Sequence, residues 1–267
     1  MIPLRDDNRA NRSPVVTWLL VAACLVVFLL QLRAGSEEPG LYEEYGMIPA
    51  RVTSPEATVM VPYREQVVTP RGPRVVEGER RAAPSAVPAW LTILTCIFLH
   101  GGWMHLVGNM WFLWIFGDNV EDRFGRLGYL VLYLGSGIAA SLTHWLSEPT
   151  SPVPTVGASG AVAGVMGAYL VLYPRARVLA LLPIGFFITT VVVPAFVFLL
   201  IWFAIQFVQG SMAAMGGEAG GVAWWAHVGG YVVGAGLALL LRATDHLRPA
   251  PVHVELHGRG LRRRPRD

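Results

Sequence analysis

Two residues far apart in the chain have the types that acyl transfer needs. Ser159 stands among small residues in Gly157-Ala158-Ser159-Gly160-Ala161, at the head of an apolar run that ends at Tyr173-Pro174. His227 stands in a second apolar run, Ala226-His227-Val228-Gly229-Gly230. A serine hydroxyl is a weak nucleophile until a base within hydrogen-bond reach takes its proton. An imidazole can take that proton and return it to a leaving amine. No Asp or Glu lies inside the apolar runs that would carry these groups, so the pattern predicts a dyad rather than a triad. Ser159 also falls near a helix N-terminus, where free N–H groups and the helix dipole favour an oxyanion. His105 and Asn109, four residues apart and so on one helical face, are candidates for further oxyanion donors.

The elements that must hold these side chains are membrane spans. The 267 residues are 54% hydrophobic and 15% charged, where a soluble domain carries about a quarter charged residues. Apolar runs of about 18 residues or more read as bilayer crossings. The expected order is a polar N-terminal tail at 1–13, a first helix at 14–33 opened by Pro14, and a hydrophilic first loop at 34–94. Within that loop 62–85 is the stretch least expected to be ordered. A five-span core is expected at 95–242 and a basic tail at 243–267. Its spans are predicted at about 103–116, 127–146, 158–173, 186–208 and 222–241, with a polar turn at 117–125 and an ambiguous apolar stretch at 178–185. The first apolar run lacks a clean cleavage site and reads as an uncleaved span.

Six spans put both termini on one side. The 21 basic residues are all arginine, and Arg123, Arg126, Arg175 and Arg177 fall in two short loops, while 147–156 and 210–221 carry none. The arginine-bearing loops, both termini and the Arg262-Arg263-Arg264-Pro265-Arg266 tail are therefore expected to be cytoplasmic, and nucleic-acid binding is not expected.

In this topology Ser159 lies fifteen residues before Pro174, His227 fifteen before Arg242, and His105 thirteen before Asp118. These separations correspond to roughly 20–22 Å of helix. In a hydrocarbon layer about 30 Å thick, all three sit about 8–10 Å below the outer surface. Polar groups at that depth are costly and usually functional. Gly160, Gly164 and Gly167 on one span and Gly230 and Gly234 on another allow close backbone approach, which would carry the imidazole to the hydroxyl.

Four motifs in order resemble the rhomboid family of intramembrane serine proteases over about 95–240. They are Phe98-Leu99-His100-Gly101-Gly102-Trp103-Met104-His105 running into Asn109, Glu121-Asp122-Arg123-Phe124-Gly125, Gly157-Ala158-Ser159-Gly160, and Ala226-His227-Val228-Gly229-Gly230. The resemblance implies an all-α membrane protein, a six-transmembrane-helix bundle with a long extracytoplasmic first loop, in a bacterial inner (plasma) membrane. It implies Ser159 as nucleophile, His227 as base, His105 and Asn109 as oxyanion-stabilising, and Glu121 and Gly125 as structural. The span bearing Trp202, Phe203 and Phe207, with the 210–221 loop, would form the substrate gate and cap. Substrates would be transmembrane segments of other proteins, with membrane lipids as surroundings and no metal or cofactor. Two positions depart from the pattern. Trp90 is followed by Leu91 where relatives often carry Trp-Arg, and Ala163 stands where some relatives stack an aromatic on the histidine, so His227 must be oriented otherwise.

Other readings carry less weight. Zinc on His100, His105 and His144 has no His-Glu-x-x-His helix to support it. His100 is expected to brace the first loop and His144 to be interfacial. Cys24 and Cys96 read as buried fillers. A non-catalytic relative that binds membrane helices usually lacks the serine or the histidine, and both are here. A transporter would carry an inverted repeat with broken helices, and none is visible.

Overall fold

Uncharged apolar runs satisfy their backbone polar groups internally by forming helices, and this chain does so repeatedly. The computed structural model describes residues 1–8, 10–34, 40–69, 72–184, 187–214, 223–249, 252–257 and 260–265. Helix α1 is Val15–Ala34, followed by the short helices α2 (Leu41–Tyr45) and α3 (Pro49–Thr53). After a one-turn α4 (Thr92–Thr95) come α5 (Trp103–Ser147), α6 (Ser159–Leu172), α7 (Ala195–Ala214) and α8 (Trp224–Ala243). Among the described residues four helices are long and apolar enough to cross a bilayer, namely α1, α5, α7 and α8. The 45-residue α5 is broken at Gly125, whose φ of 73° and ψ of 163° are not helical. Its two legs, 103–124 and 126–147, therefore fold back on each other.

The first of these legs is longer than expected. The polar stretch 117–125 does not form a turn; the helix runs through it and the chain reverses only at Gly125. The polar groups there are consumed by contacts with the N-terminal segment. The buried Glu121 carboxylate accepts from the Val16 N–H at 2.9 Å, the Thr17 N–H at 2.8 Å and the Thr17 hydroxyl at 2.9 Å. A carboxylate thus sits on the positive end of α1. Asp122 accepts from the Asn11 N–H at 3.0 Å, and Arg123 and Arg248 exchange contacts beneath the reversal.

The core lies between α6, α8 and the legs of α5, where glycines replace side chains. A β-carbon on Gly230 would collide with the Gly160 carbonyl, one on Gly234 with the Gly164 carbonyl, and one on Gly164 with the Ser136 side chain. Tyr129, Tyr133, Tyr169, Phe28 and Phe116 fill the spaces around this contact and are wholly buried.

Strands supplement the helices and correct an all-α expectation. In the first loop β2 (Met60–Thr69) pairs antiparallel with β3 (Gly72–Arg81), where least order was expected. The stretch predicted to begin the fifth span at 186 is instead a hairpin of β4 (Arg177–Ile184) and β5 (Phe187–Pro194), and α7 starts only at Ala195. Strand β1 (Ile2–Asp6) adds to β4, giving the order β1-β4-β5. β-branched Val191-Val192-Val193 and Thr189-Thr190 favour extended backbone. A last pair, β6 (Val252–His257) and β7 (Gly260–Pro265), lies in the basic tail.

Candidate active site

Helix α6 has 14 residues, about 21 Å of rise, which is shorter than a hydrocarbon layer about 30 Å thick, and Ser159 is its first residue. The Ser159 hydroxyl donates to Nε2 of His227 at 2.7 Å, and His227 is buried on α8. The glycine contact between α6 and α8 sets this distance: where Gly160 and Gly230 touch, residues one position before and three positions before them face each other. The other ring nitrogen of His227, Nδ1, donates to Oε1 of Gln206 on α7 at 2.6 Å. The ring is therefore in the tautomer that leaves Nε2 free to accept from serine. Trp202, one turn earlier on α7, lies 5.9 Å from the imidazole centroid at 39°, and Trp224 meets it edge-on at 6.1 Å. Ala163 is buried and contributes no ring, so α7 and the first turn of α8 supply the aromatic surroundings of His227.

Ser159 opens α6 after Gly157, whose φ of +131° suits glycine alone. A β-carbon there would also come within 2.7 Å of Nε2 and Cε1 of His105. The Gly101 N–H donates to Nδ1 of His105 at 3.3 Å, which leaves the ring proton on Nε2, the edge that faces Gly157. Asn109, a turn further along α5, is buried and its side-chain N–H₂ has no hydrogen-bond partner. The N–H groups of the first turn of α6 likewise lack partners within the helix. Ser159, His227, His105, Asn109 and Gly157 line one cavity of about 550 Å³, with Gln206, Trp202 and His144 also on its wall. All four residues singled out in the sequence thus border the same space, with donors supplied by α5 and α6.

The cavity is braced from the first loop. The Met47 and Thr155 backbones exchange two hydrogen bonds at 3.1 and 2.7 Å, and the Gly157 N–H donates to the Cys96 carbonyl at 2.9 Å. Gln31 of α1 holds the backbone of His100 through both amide atoms, at 3.0 and 3.3 Å. Burial, and the neighbouring His105, hold the His100 imidazole down at about 4, so it is neutral at ordinary pH. Among the described residues no group of three or more His, Cys, Asp and Glu is arranged to hold a metal ion.

Gln206 and Trp202 were not anticipated as partners of His227. A search for an ionisable orienting group passes over an amide. The available signal was Gln206 itself, the first polar side chain after eleven apolar residues of α7, which is costly unless partnered.

The helical bundle, the Glu121–Gly125 reversal and the serine and histidine on adjoining helices define a class of polytopic membrane protein, and sequence comparison says which. Residues 88–244 match the Rhomboid domain, and the chain belongs to the rhomboid family. It is 30% identical over 230 residues to the rhomboid protease GluP of Bacillus subtilis, covering 86% of this chain and 36% of that protein. It is 38% identical over 81 residues to the putative rhomboid protease YdcA of the same organism, covering 30% of this chain and 40% of that one. It is 46% identical over 78 residues to the chloroplastic rhomboid-like protein 11 of Arabidopsis thaliana, covering 29% of this chain and 28% of that protein. The chain thus spans between about a quarter and two fifths of the length of these curated relatives.

Proposed function

We propose that this chain is an intramembrane serine endopeptidase that hydrolyses peptide bonds in or near transmembrane segments of membrane proteins. The observation that carries the reading is the 2.7 Å hydrogen bond from the Ser159 hydroxyl to His227 Nε2, beside a cavity that Asn109 and His105 also line. Relatives named as proteases support the same conclusion.

In this reading six segments cross the bilayer: α1, the two legs of α5, α6, α7 and α8. Both termini are cytoplasmic, in keeping with the arginines flanking the inner ends. Ser159 attacks the scissile carbonyl as His227 takes its proton at Nε2. The oxyanion collects N–H bonds from the start of α6, from Asn109 and from His105 Nε2. His227 then protonates the leaving amine, and water, activated by the same imidazole, hydrolyses the acyl-enzyme. No step calls for a metal or cofactor.

The test is cleavage of a reporter transmembrane substrate in proteoliposomes. Ser159→Ala is expected to lower the rate by at least about 10³-fold with folding intact, and His227→Ala to act alike without additive loss in the double variant. A fluorophosphonate is expected to label the parent and not the Ser159→Ala protein. An intact, folded parent that neither cleaves nor labels would instead make this a helix-binding rhomboid relative.

A further inference from the structure

The hydrogen bond at the far side of the imidazole ties the histidine to a helix that is otherwise held loosely. Among the described residues, the Gln206–His227 contact is the hydrogen bond that joins an α7 side chain to another element; the Ser211 hydroxyl bonds within its own helix, and the other ties of α7 are backbone bonds at its first two residues. Elsewhere α7 packs through apolar side chains, with Ala195 and Leu199 wholly buried, Phe198 on Phe112 and Phe116, and Trp202 and Phe203 on Tyr231. Its opposite face, with Leu200, Ile201, Ile205 and Val208, is exposed. Yet Gln206 is 7% exposed and its carbonyl oxygen is 2.6 Å from Nδ1.

We infer that Gln206 is a positioning residue for His227, and that the seating of α7 against α8 decides whether the histidine is competent. The inference rests on the reading of Ser159 and His227 as the hydrolytic pair. An amide oxygen at Nδ1 selects the tautomer with its lone pair on Nε2, directed at Ser159. When Nε2 takes the serine proton, the Nδ1–H gains positive character and its bond to the Gln206 carbonyl strengthens, so Gln206 stabilises the transition state more than the resting state. Trp202, one turn away on the same helix, limits rotation of the ring. Moving α7 outward by about an ångström would stretch the bond past hydrogen-bonding range. Substrate entry that displaces α7 at this level therefore switches the histidine off, and its return restores the pair once the peptide is in place.

The experiment uses the full chain in proteoliposomes with the reporter substrate, comparing Gln206→Leu, Gln206→Met and Gln206→Glu with the parent, and Ser159→Ala alongside. Gln206→Leu and Gln206→Met are expected to lower kcat about 10- to 100-fold with KM within about threefold. Gln206→Glu, which keeps an acceptor oxygen at the same reach, is expected to recover most of that loss. The ¹⁵N spectrum of the His227 ring in the parent is expected to show the proton on Nδ1. Folded Leu and Met variants with kcat within twofold of the parent would overturn the proposal, as would a Glu variant no better than Leu. A parent ring protonated at Nε2 overturns it however the variants fold. An active Ser159→Ala protein would instead bring down the reading of the hydrolytic pair on which it stands.

Discussion

Helices α6 and α8 meet backbone to backbone, whereas α7 meets the same bundle side chain to side chain, largely through aromatic rings. The first contact has no slack: at Gly160–Gly230 and Gly164–Gly234 a single methyl group has nowhere to go. The second is a set of aromatic surfaces, each pair worth about 0.5–1.5 kcal/mol and able to slide. In the proposed mechanism Ser159 and His227 lie on the rigid pair, and Gln206, which would orient the histidine, lies on the adjustable helix. On that reading the fold separates what must not move during hydrolysis from what can move between turnovers.

The contrast is most readily broken by changing the rigid contact. Gly230→Val is expected to cost about 3 kcal/mol or more, through overpacking against a backbone that cannot yield, and to abolish cleavage. Gly236→Val on the same helix, where a β-carbon meets nothing within 4 Å, is expected to change stability by less than about 0.5 kcal/mol. Unfolding titrations in micelles read both, and equal losses would remove the distinction. Next comes the ring contact. Phe203→Ala, which deletes a ring 4.7 Å from that of Tyr231, is expected to cost about 1 kcal/mol and to lower kcat by loosening α7 while leaving the α6–α8 pair assembled. A loss as large as that of Gly230→Val would mean that α7 is as rigidly held as α8.

The smallest effect concerns the foot of α7. The hairpin that leads into it pairs with β1, where Asp6 accepts from Tyr169 of α6 and from Asn119 Nδ2 at 3.1 Å. Burial first, with smaller contributions from Asp118 and Asp7 against the opposing Tyr169 bond, raises the Asp6 carboxyl from 3.8 to about 7. Because the folded value is the higher one, this contribution to docking of β1 is full below about pH 3.8 and is lost as pH rises through about 7. Hydrogen exchange at residues 2–6, corrected for intrinsic rates, is expected to quicken between pH 6 and 8. Asp6→Asn is expected to flatten that trend, and an unchanged slope would detach the strand's docking from this carboxyl.

What could be read beforehand follows the same division. Helices α6 and α8 were legible within two residues, because Pro174 and Arg242 end uninterrupted apolar runs and glycine spacing signals contact. Separations of fifteen, fifteen and thirteen residues suggested one depth for Ser159, His227 and His105, and all three line one cavity, although the leg that bears His105 runs on past Asp118 to Gly125. The start of α7 was not legible. The stretch Val178–Pro194 has no charge, so hydropathy alone resembles a span, and only its valines and threonines, with Pro183 and Gly185, hint at strands. The 117–125 stretch misled in the opposite direction, since Asn119, Glu121 and Asp122 are helical residues whose polarity serves the N-terminal segment rather than water. Gln206 was hidden by its neutrality: its role depends on a helix start that composition does not mark.

One backbone strap ties the approach to Ser159 to the segment before α3. Met47 is stitched to Thr155, and two residues later Gly157 hands the chain over to Ser159. The placement of Ser159 is therefore set partly by the segment that carries Met47, which the proposed topology puts on the outer face. In that topology a ligand that opened the segment around the buried Met47 would slacken Ser159 from the aqueous side, giving a way to silence the protein without a reagent that has to cross or dissolve in the membrane.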